Sequence, residues 1–135
     1  MKKKMLIIIV VVLTVLLLGA YALYDSIFPK AKPIKQLEIG MIDAVNIYDN
    51  EDNKIITSNE EIQKLISYIN CAVATRIISV NDYPNVRPYY VVEIKNTDQI
   101  LRYMIYEENG TAYVELPYEG VYKIDREAID ILKVL

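Results

Sequence analysis

Chemistry in this chain has to come from a short inventory, because its 135 residues include no histidine, no tryptophan and one cysteine, Cys71. Without an imidazole there can be no Ser-His-Asp triad, no Cys-His pair and no histidine-ligated zinc. A serine–lysine dyad needs a serine at a strained or helix-start position, yet Ser58 suits a helix cap and Ser79 sits in a strand-like run. Glu93, Glu107 and Glu115 fall on neighbouring strands, an arrangement in which two carboxylates could cleave a glycoside. Sheet carboxylates are mostly solvated faces, so the expectation is a protein that is not an enzyme, with no catalytic residue and no cofactor.

Two further patterns resemble binding sites. Asp49 to Glu60 matches a twelve-residue calcium loop at positions 1, 3, 5 and 12 through Asp49, Glu51, Asn53 and Glu60. Lys54 stands at the sixth position, where that loop needs glycine, and adds a positive charge beside the ion. A polar hairpin turn leading into a helix cap accounts for the same residues, so no metal site is expected and only weak calcium binding stays open. Asn109-Gly110-Thr111 fits a glycosylation acceptor, but a tight turn explains it equally well. Cys71 has no second cysteine to pair with and reads as a small buried hydrophobe near a helix end.

Tyrosine stands out: twelve residues against a single phenylalanine. Its ring suits strands that are apolar on one side and wet at the tip. The same rings make recognition surfaces, because they give rigid contact area at low entropy cost. The loops that combine rings, charges and rigid turns are Asp82-Tyr83-Pro84 with Arg87, and Pro117-Tyr118-Glu119-Gly120. Asp82, Tyr83, Arg87, Tyr118 and Glu119 are therefore the candidate partner-binding residues, although turn chemistry alone also accounts for these stretches.

The elements that must position these loops follow from periodicity. Met41 to Tyr48 and Lys54 to Thr57 read as strands joined by a polar turn. Ser58 and Glu61 form a capping box for a helix whose buried face is Ile62, Leu65, Ile66 and Ile69. Thr75 to Val80 reads as a short strand, followed by a loop to Pro88. Tyr89 to Lys95, Gln99 to Glu107 and Thr111 to Leu116 read as a meander, with a type I′ turn at Asn109-Gly110. A two-residue turn sets Ile105 opposite Val114 and Tyr103 opposite Leu116 as core, with Tyr106 opposite Tyr113 and Met104 opposite Glu115 on a more polar face. Val121 to Ile124 makes a brief strand. Asp125 then caps a helix, with Ile124 and Ile129 as its hydrophobic staple and Ala128, Leu132 and Leu135 as its buried stripe. The predicted fold is α+β: a two-layer domain in which an antiparallel sheet of about five to six strands packs with two helices, in the order ββα-ββββ-α.

Ahead of this domain, Lys2, Lys3 and Lys4 precede an uncharged run from Met5 to Tyr24. Twenty helical residues span about 30 Å, the thickness of a bilayer's hydrocarbon core. Lysines before the run and Asp25 after it place the N-terminus in the cytoplasm and the rest outside. A cleaved signal peptide, cut after Ala22 in Ala20-Tyr21-Ala22, competes with a retained anchor. The expected organisation is residues 1–24 as anchor or signal peptide, 25–35 as an extended Pro- and Lys-bearing linker, and 36–135 as an extracytoplasmic domain. The location is then the cytoplasmic membrane, single-pass with the C-terminal domain outside, or alternatively the medium. Without Lys2 to Lys4 the chain keeps twelve basic side chains against eighteen acidic ones, a charge of −6. An exported acidic domain is a poor match for nucleic acid, so the partners expected are the membrane, through residues 5–24, and a protein or cell-envelope component.

Ile56-Thr57 through Glu60-Glu61-Ile62, Ser79 to Pro84, Tyr89-Tyr90 and Glu115-Leu-Pro-Tyr-Glu-Gly-Val-Tyr-Lys-Ile-Asp125 together resemble a family of small exported Gram-positive bacterial proteins catalogued as domain of unknown function 5301. The resemblance covers roughly Met41 to Leu132. Leu116 departs from the polar residue expected before the proline. The resemblance implies an extracytoplasmic domain behind a signal or anchor and brings no site residues with it. Three roles follow as expectations: a non-catalytic binding or regulatory module, a small accessory or immunity-type protein acting through its transmembrane helix, and an envelope hydrolase that Glu93→Gln and Glu115→Gln would abolish.

Overall fold

Apolar residues recurring through the strand-forming segments call for one sheet, and a sheet is what forms in the computed structural model, which describes residues 2–49, 53–56, 58–96 and 99–134. The chain divides into two units, Met1–Lys30 and Ala31–Leu135. The first is helix α1, Lys2–Ile27, long and apolar enough to cross a membrane. Its Thr14 hydroxyl donates to the Val10 carbonyl at 2.9 Å, so that side chain is satisfied within the helix, as a span through hydrocarbon requires.

The second unit holds β1 (Ile42–Tyr48), β2 (Asn53–Ile56), α2 (Asn59–Asn70), β3 (Val73–Ala74), β4 (Tyr89–Asn96), β5 (Gln99–Glu108), β6 (Thr111–Leu116), β7 (Gly120–Lys123) and α3 (Glu127–Val134). The sheet is antiparallel, with strand order β2-β1-β4-β5-β6-β7-β3. Among the described residues it has seven strands, slightly more than expected. The extra one is β3, a two-residue strand pairing Val73 with Lys123 and Ala74 with Tyr122. The β5–β6 hairpin has the predicted register, Met104 opposite Glu115 and Ile105 opposite Val114, and both turn residues have positive φ, 51° at Asn109 and 75° at Gly110.

One sheet face meets the helices. Val45, Ile47, Val92, Ile94, Tyr103, Ile105 and Val114 are buried there against Ile62, Leu65, Ile66 and Ile69 of α2 and Ala128, Ile129 and Leu132 of α3. Both helical stripes are those that the 3.6-residue period picks out. Asp125 caps α3 as expected, its Oδ1 accepting from the Glu127 N–H at 3.0 Å. Leu135 and Thr57 lie outside the described residues.

Four expectations change. Ser58 occupies the N-cap of α2 but makes no side-chain cap hydrogen bond. Cys71 is exposed, because it stands two residues past Ile69, about 200° around the helix from the buried stripe. Thr75 to Val80 is not a strand: only Val73 and Ala74 pair regularly, and Thr75 then uses its hydroxyl to bond the Val121 carbonyl at 2.6 Å while accepting from the Ile77 N–H. Finally, the chain from Ala31 onward, read as part of the spacer, packs on the domain. The Ala31 N–H donates to the Thr75 carbonyl, the Tyr122 hydroxyl donates to the Lys32 carbonyl, and Ile34 and Leu37 are buried. Asn70 clamps this segment by accepting from the Leu37 N–H at 2.8 Å and donating to its carbonyl at 3.0 Å.

Candidate functional site

The sheet face opposite the helices carries, by register, a cross-strand row of Tyr89, Tyr106 and Tyr113, then a row of Val91, Met104, Glu115 and Val121, then Glu93 beside Arg102. An open polar face is what the alternation predicts. Instead Met104, Tyr106, Glu115 and Val121 are buried, and they form a cluster apart from the helix-side core. Their cover is the irregular segment 75–88. Ser79 reaches down and its Oγ donates to Glu115 Oε1 at 2.7 Å, and Pro84 is buried. The Tyr106 hydroxyl is held well above the usual phenol range, first by burial and then by the charge and hydrogen bonding of Glu115.

Beyond this covered patch the face becomes exposed and aromatic. Tyr83 stacks on Tyr89 with ring centroids 6.1 Å apart, and the Arg87 guanidinium lies 5.7 Å from the Tyr89 centroid, within cation–π range. Arg102 forks onto Glu93 Oε1 with Nε at 3.0 Å and Nη2 at 2.7 Å. That contact raises the guanidinium above its ordinary value, with a smaller electrostatic contribution from Tyr83 and Tyr48. The Tyr48 hydroxyl is raised by burial and then by Glu93. Tyr48, Tyr83, Glu93 and Arg102 therefore share one electrostatic neighbourhood.

The second predicted loop joins the first. The Tyr118 hydroxyl donates to Asp82 Oδ1 at 2.9 Å, which raises the Tyr118 phenol. Pro117 followed by a residue with positive φ is the arrangement of a type II turn, and the Glu119 N–H closes it on the Leu116 carbonyl at 3.1 Å. That position favours glycine, yet Tyr118 holds it at φ 62° with its side chain 66% exposed. Of the five candidate residues, Asp82, Tyr83, Arg87 and Tyr118 thus fall within one connected surface. Glu119 is exposed beside Tyr118 in the same turn, and its charge also raises the Tyr103 and Tyr122 phenols after burial does.

The carboxylates considered for glycoside cleavage do not converge. Glu93 is taken by Arg102, Glu115 is buried under Ser79, and Glu107 pairs with Arg126 at 3.3 Å on the helix side. A cleft of 470 Å³ runs between α2 and α3, lined by Glu60, Glu61, Lys64, Glu127 and Asp130 among others. No group of three or more Cys, Asp or Glu close enough to hold a metal occurs among the described residues, and Asn50 to Asp52 of the calcium-like stretch lie outside them. Residues that the sequence did not single out are Tyr48, Tyr89, the Glu93–Arg102 pair and the Ser79–Glu115 pair. Continuing the two-residue alternation from Tyr106 across β4 and β1 would have placed Tyr89, Glu93 and Tyr48 on that face. The covering Ser79 leaves no such periodic trace.

The family described as "Domain of unknown function (DUF5300)", DUF5301, matches residues 26–123, a span that holds every residue of the surface just described. The chain is also similar to the NMR structure of a protein from Ruminococcus gnavus, 32% identical to it, with a TM-score of 0.57 and coverage of 68% of this chain and 94% of that one. No curated protein matches.

Proposed function

The chain belongs to the DUF5301 family, and we propose that it is a non-catalytic binding module, held by α1 at the outer face of the cytoplasmic membrane, that engages a protein partner through the Asp82, Tyr83, Arg87 and Tyr118 surface. The observation that carries this reading is the Tyr118–Asp82 hydrogen bond, which ties two aromatic loops distant in sequence into one exposed surface. Stacked tyrosines with an arginine on their face are the residue types enriched where proteins meet, since they bury large area at low entropy cost. A backbone-strained, exposed tyrosine at the turn apex adds to this, because such strain concentrates where a side chain must be displayed. The absence of histidine and the separate partners of Glu93, Glu107 and Glu115 support a role without a catalytic step.

Retention as an anchor is favoured over release because α1 continues unbroken past Ala22 to Ile27, and its uncharged run from Met5 to Tyr24 is about 30 Å long. Intact mass separates the two: full-length chain in the membrane fraction supports the anchor, and a chain beginning at Leu23 in the medium replaces it with a diffusible binder. Binding itself is tested on whole cells by placing a photo-crosslinking residue at Tyr83 and, as a control on the outer side of α2, at Gln63. A discrete adduct from position 83 that Asp82→Ala weakens, with none from position 63, supports the surface. Equal adducts at both positions, or none at 83, overturn it.

A further inference from the structure

The run Ile77-Ile78-Ser79-Val80 has its polarity inverted. Its one polar side chain, Ser79, is 3% exposed, while Ile77, Ile78 and Val80 are 49%, 75% and 66% exposed. Ser79 is turned onto the sheet by its bond to Glu115, and Ile78 and Val80 on either side of it, together with Ile77, are left facing outward. Elsewhere on a surface the serine would face water and the aliphatic residues the core. Single exposed hydrophobes need no explanation, but three branched ones held outward side by side by a buried polar pair mark a contact surface.

What covers this strip follows from where the chain enters the domain. Ala31 donates its N–H to Thr75 at 2.9 Å, and Gly120 lies so close that a Cβ there would stand 2.5 Å from the Ala31 Cβ. The next residue along, Val121, donates its N–H to the Ile77 carbonyl at 3.2 Å. The entry point of the chain therefore sits one backbone away from the aliphatic strip. Ala31 is four residues beyond the end of α1 at Ile27, and four residues reach at most about 14 Å. Lys30, Lys32 and Lys35, all exposed, flank this entry and suit anionic headgroups.

We infer that Ile77, Ile78 and Val80 seat in the interfacial layer of the bilayer that α1 spans, so that the domain lies against a lipid surface on this strip. The inference rests on the anchored reading given above. The occupant is lipid because a tether this short brings lipid to the strip at every encounter, whereas a soluble partner would have to displace it. Branched aliphatic side chains held outward with lysines beside them are the composition of an interfacial contact.

The chain contains no tryptophan, so a single introduced one reports its own surroundings. Full-length protein is reconstituted in phosphatidylcholine–phosphatidylglycerol vesicles with Trp placed singly by Ile78→Trp, Val80→Trp, Leu17→Trp and Gln63→Trp, each checked for native circular dichroism. Blue-shifted emission that brominated lipid quenches at positions 17, 78 and 80, with water-like emission at 63, is the expected result. Quenching at 17 without quenching at 78 and 80 overturns the inference and leaves the anchor standing. No quenching at 17 removes the anchor, and the inference with it. Blue-shifted emission at 78 that rises with protein density but escapes brominated lipid means that a second copy covers the strip, and quenching at 63 as well means non-specific adsorption. Both of these overturn the inference.

Discussion

The central strand of the sheet is buried on both sides, yet the two sides are covered in different ways. Tyr103 and Ile105 lie under α2 and α3, while Met104 and Tyr106 lie under the irregular segment 75–88. A helix satisfies its own backbone, so its contact with the sheet can be wholly apolar, and the helix-side core is Ile, Val, Leu, Ala and Tyr throughout. An irregular cover has no such internal ladder and must find partners as it goes. Thr75 therefore spends its hydroxyl on the Val121 carbonyl and the Ile77 N–H, and Ser79 bonds a buried glutamate. The second cover is thus assembled from specific polar pins, and its outer surface, including the inverted Ile77 to Val80 run, is dictated by which side chains those pins turn inward.

The comparison is tested most severely by cutting the same strand on both faces. Ile105→Ala should lower unfolding free energy by about 2–5 kcal/mol, as for any fully buried branched aliphatic. Met104→Ala is expected within the same range, because Met104 is equally buried under the loop. Urea denaturation of the two variants decides it. A cost below about 1 kcal/mol for Met104→Ala would mean that segment 75–88 shields the face without packing on it.

The polar pin should matter next most. Glu115→Ala leaves the Ser79 and Tyr106 hydroxyls without their partner and should cost about 1–3 kcal/mol. The two faces also differ in how they resist alkali. Burial alone is the main cause that pushes the Tyr103 phenol up to about 12, while Tyr106 is raised by burial and, beyond that, by Glu115. For each, the folded state holds the neutral phenol, so the stability contributed is complete below the ordinary phenol value of 10.0 and is lost as pH rises through the folded value. Loss from Tyr103 therefore falls between about pH 10 and 12, and loss from Tyr106 extends higher. Glu115→Gln should lower the Tyr106 titration and leave that of Tyr103 in place. Tyrosinate absorbance against pH, assigned with Tyr106→Phe and Tyr103→Phe, reads this directly. Equal movement of both would show that Glu115 acts through global loosening and not as a pin.

The same contrast explains what could be read before the structure. Asn109-Gly110, the stripe of α2, the described part of the α3 stripe and the Asp125 cap are local patterns, each carried by residues a few positions apart, and each formed as written. What escaped depends on pairs far apart in sequence. Ser79 meets Glu115 across 36 positions, Asn70 clamps Leu37 across 33, and Tyr122 reaches the Lys32 carbonyl across 90. No period connects such residues, so the run 75–80 looks like a strand and the segment before Gln36 looks like free linker. Asp82 and Tyr118 were each legible as loop residues with exposed functional groups, but only the fold shows that they bond to one another.

The smallest effect separates display from architecture. Tyr118 stands at φ 62° in a position that glycine would occupy without strain, and the strain on a side-chain-bearing residue there is worth about 1 kcal/mol. Its hydrogen bond to Asp82 is exposed and screened by water, so it contributes less than that strain costs. Tyr118→Gly should therefore leave thermal stability unchanged or raise it slightly, while weakening the adduct formed from position 83. Asp82→Ala, which removes the bond and keeps the strain, should be slightly destabilising. If Tyr118→Gly instead lowers stability by more than about 1 kcal/mol, the ring is holding segment 75–88 in place, and its strain belongs to the cover of the sheet. If stability holds and the adduct is lost, the fold is tolerating a strained tyrosine for what that tyrosine touches outside the molecule.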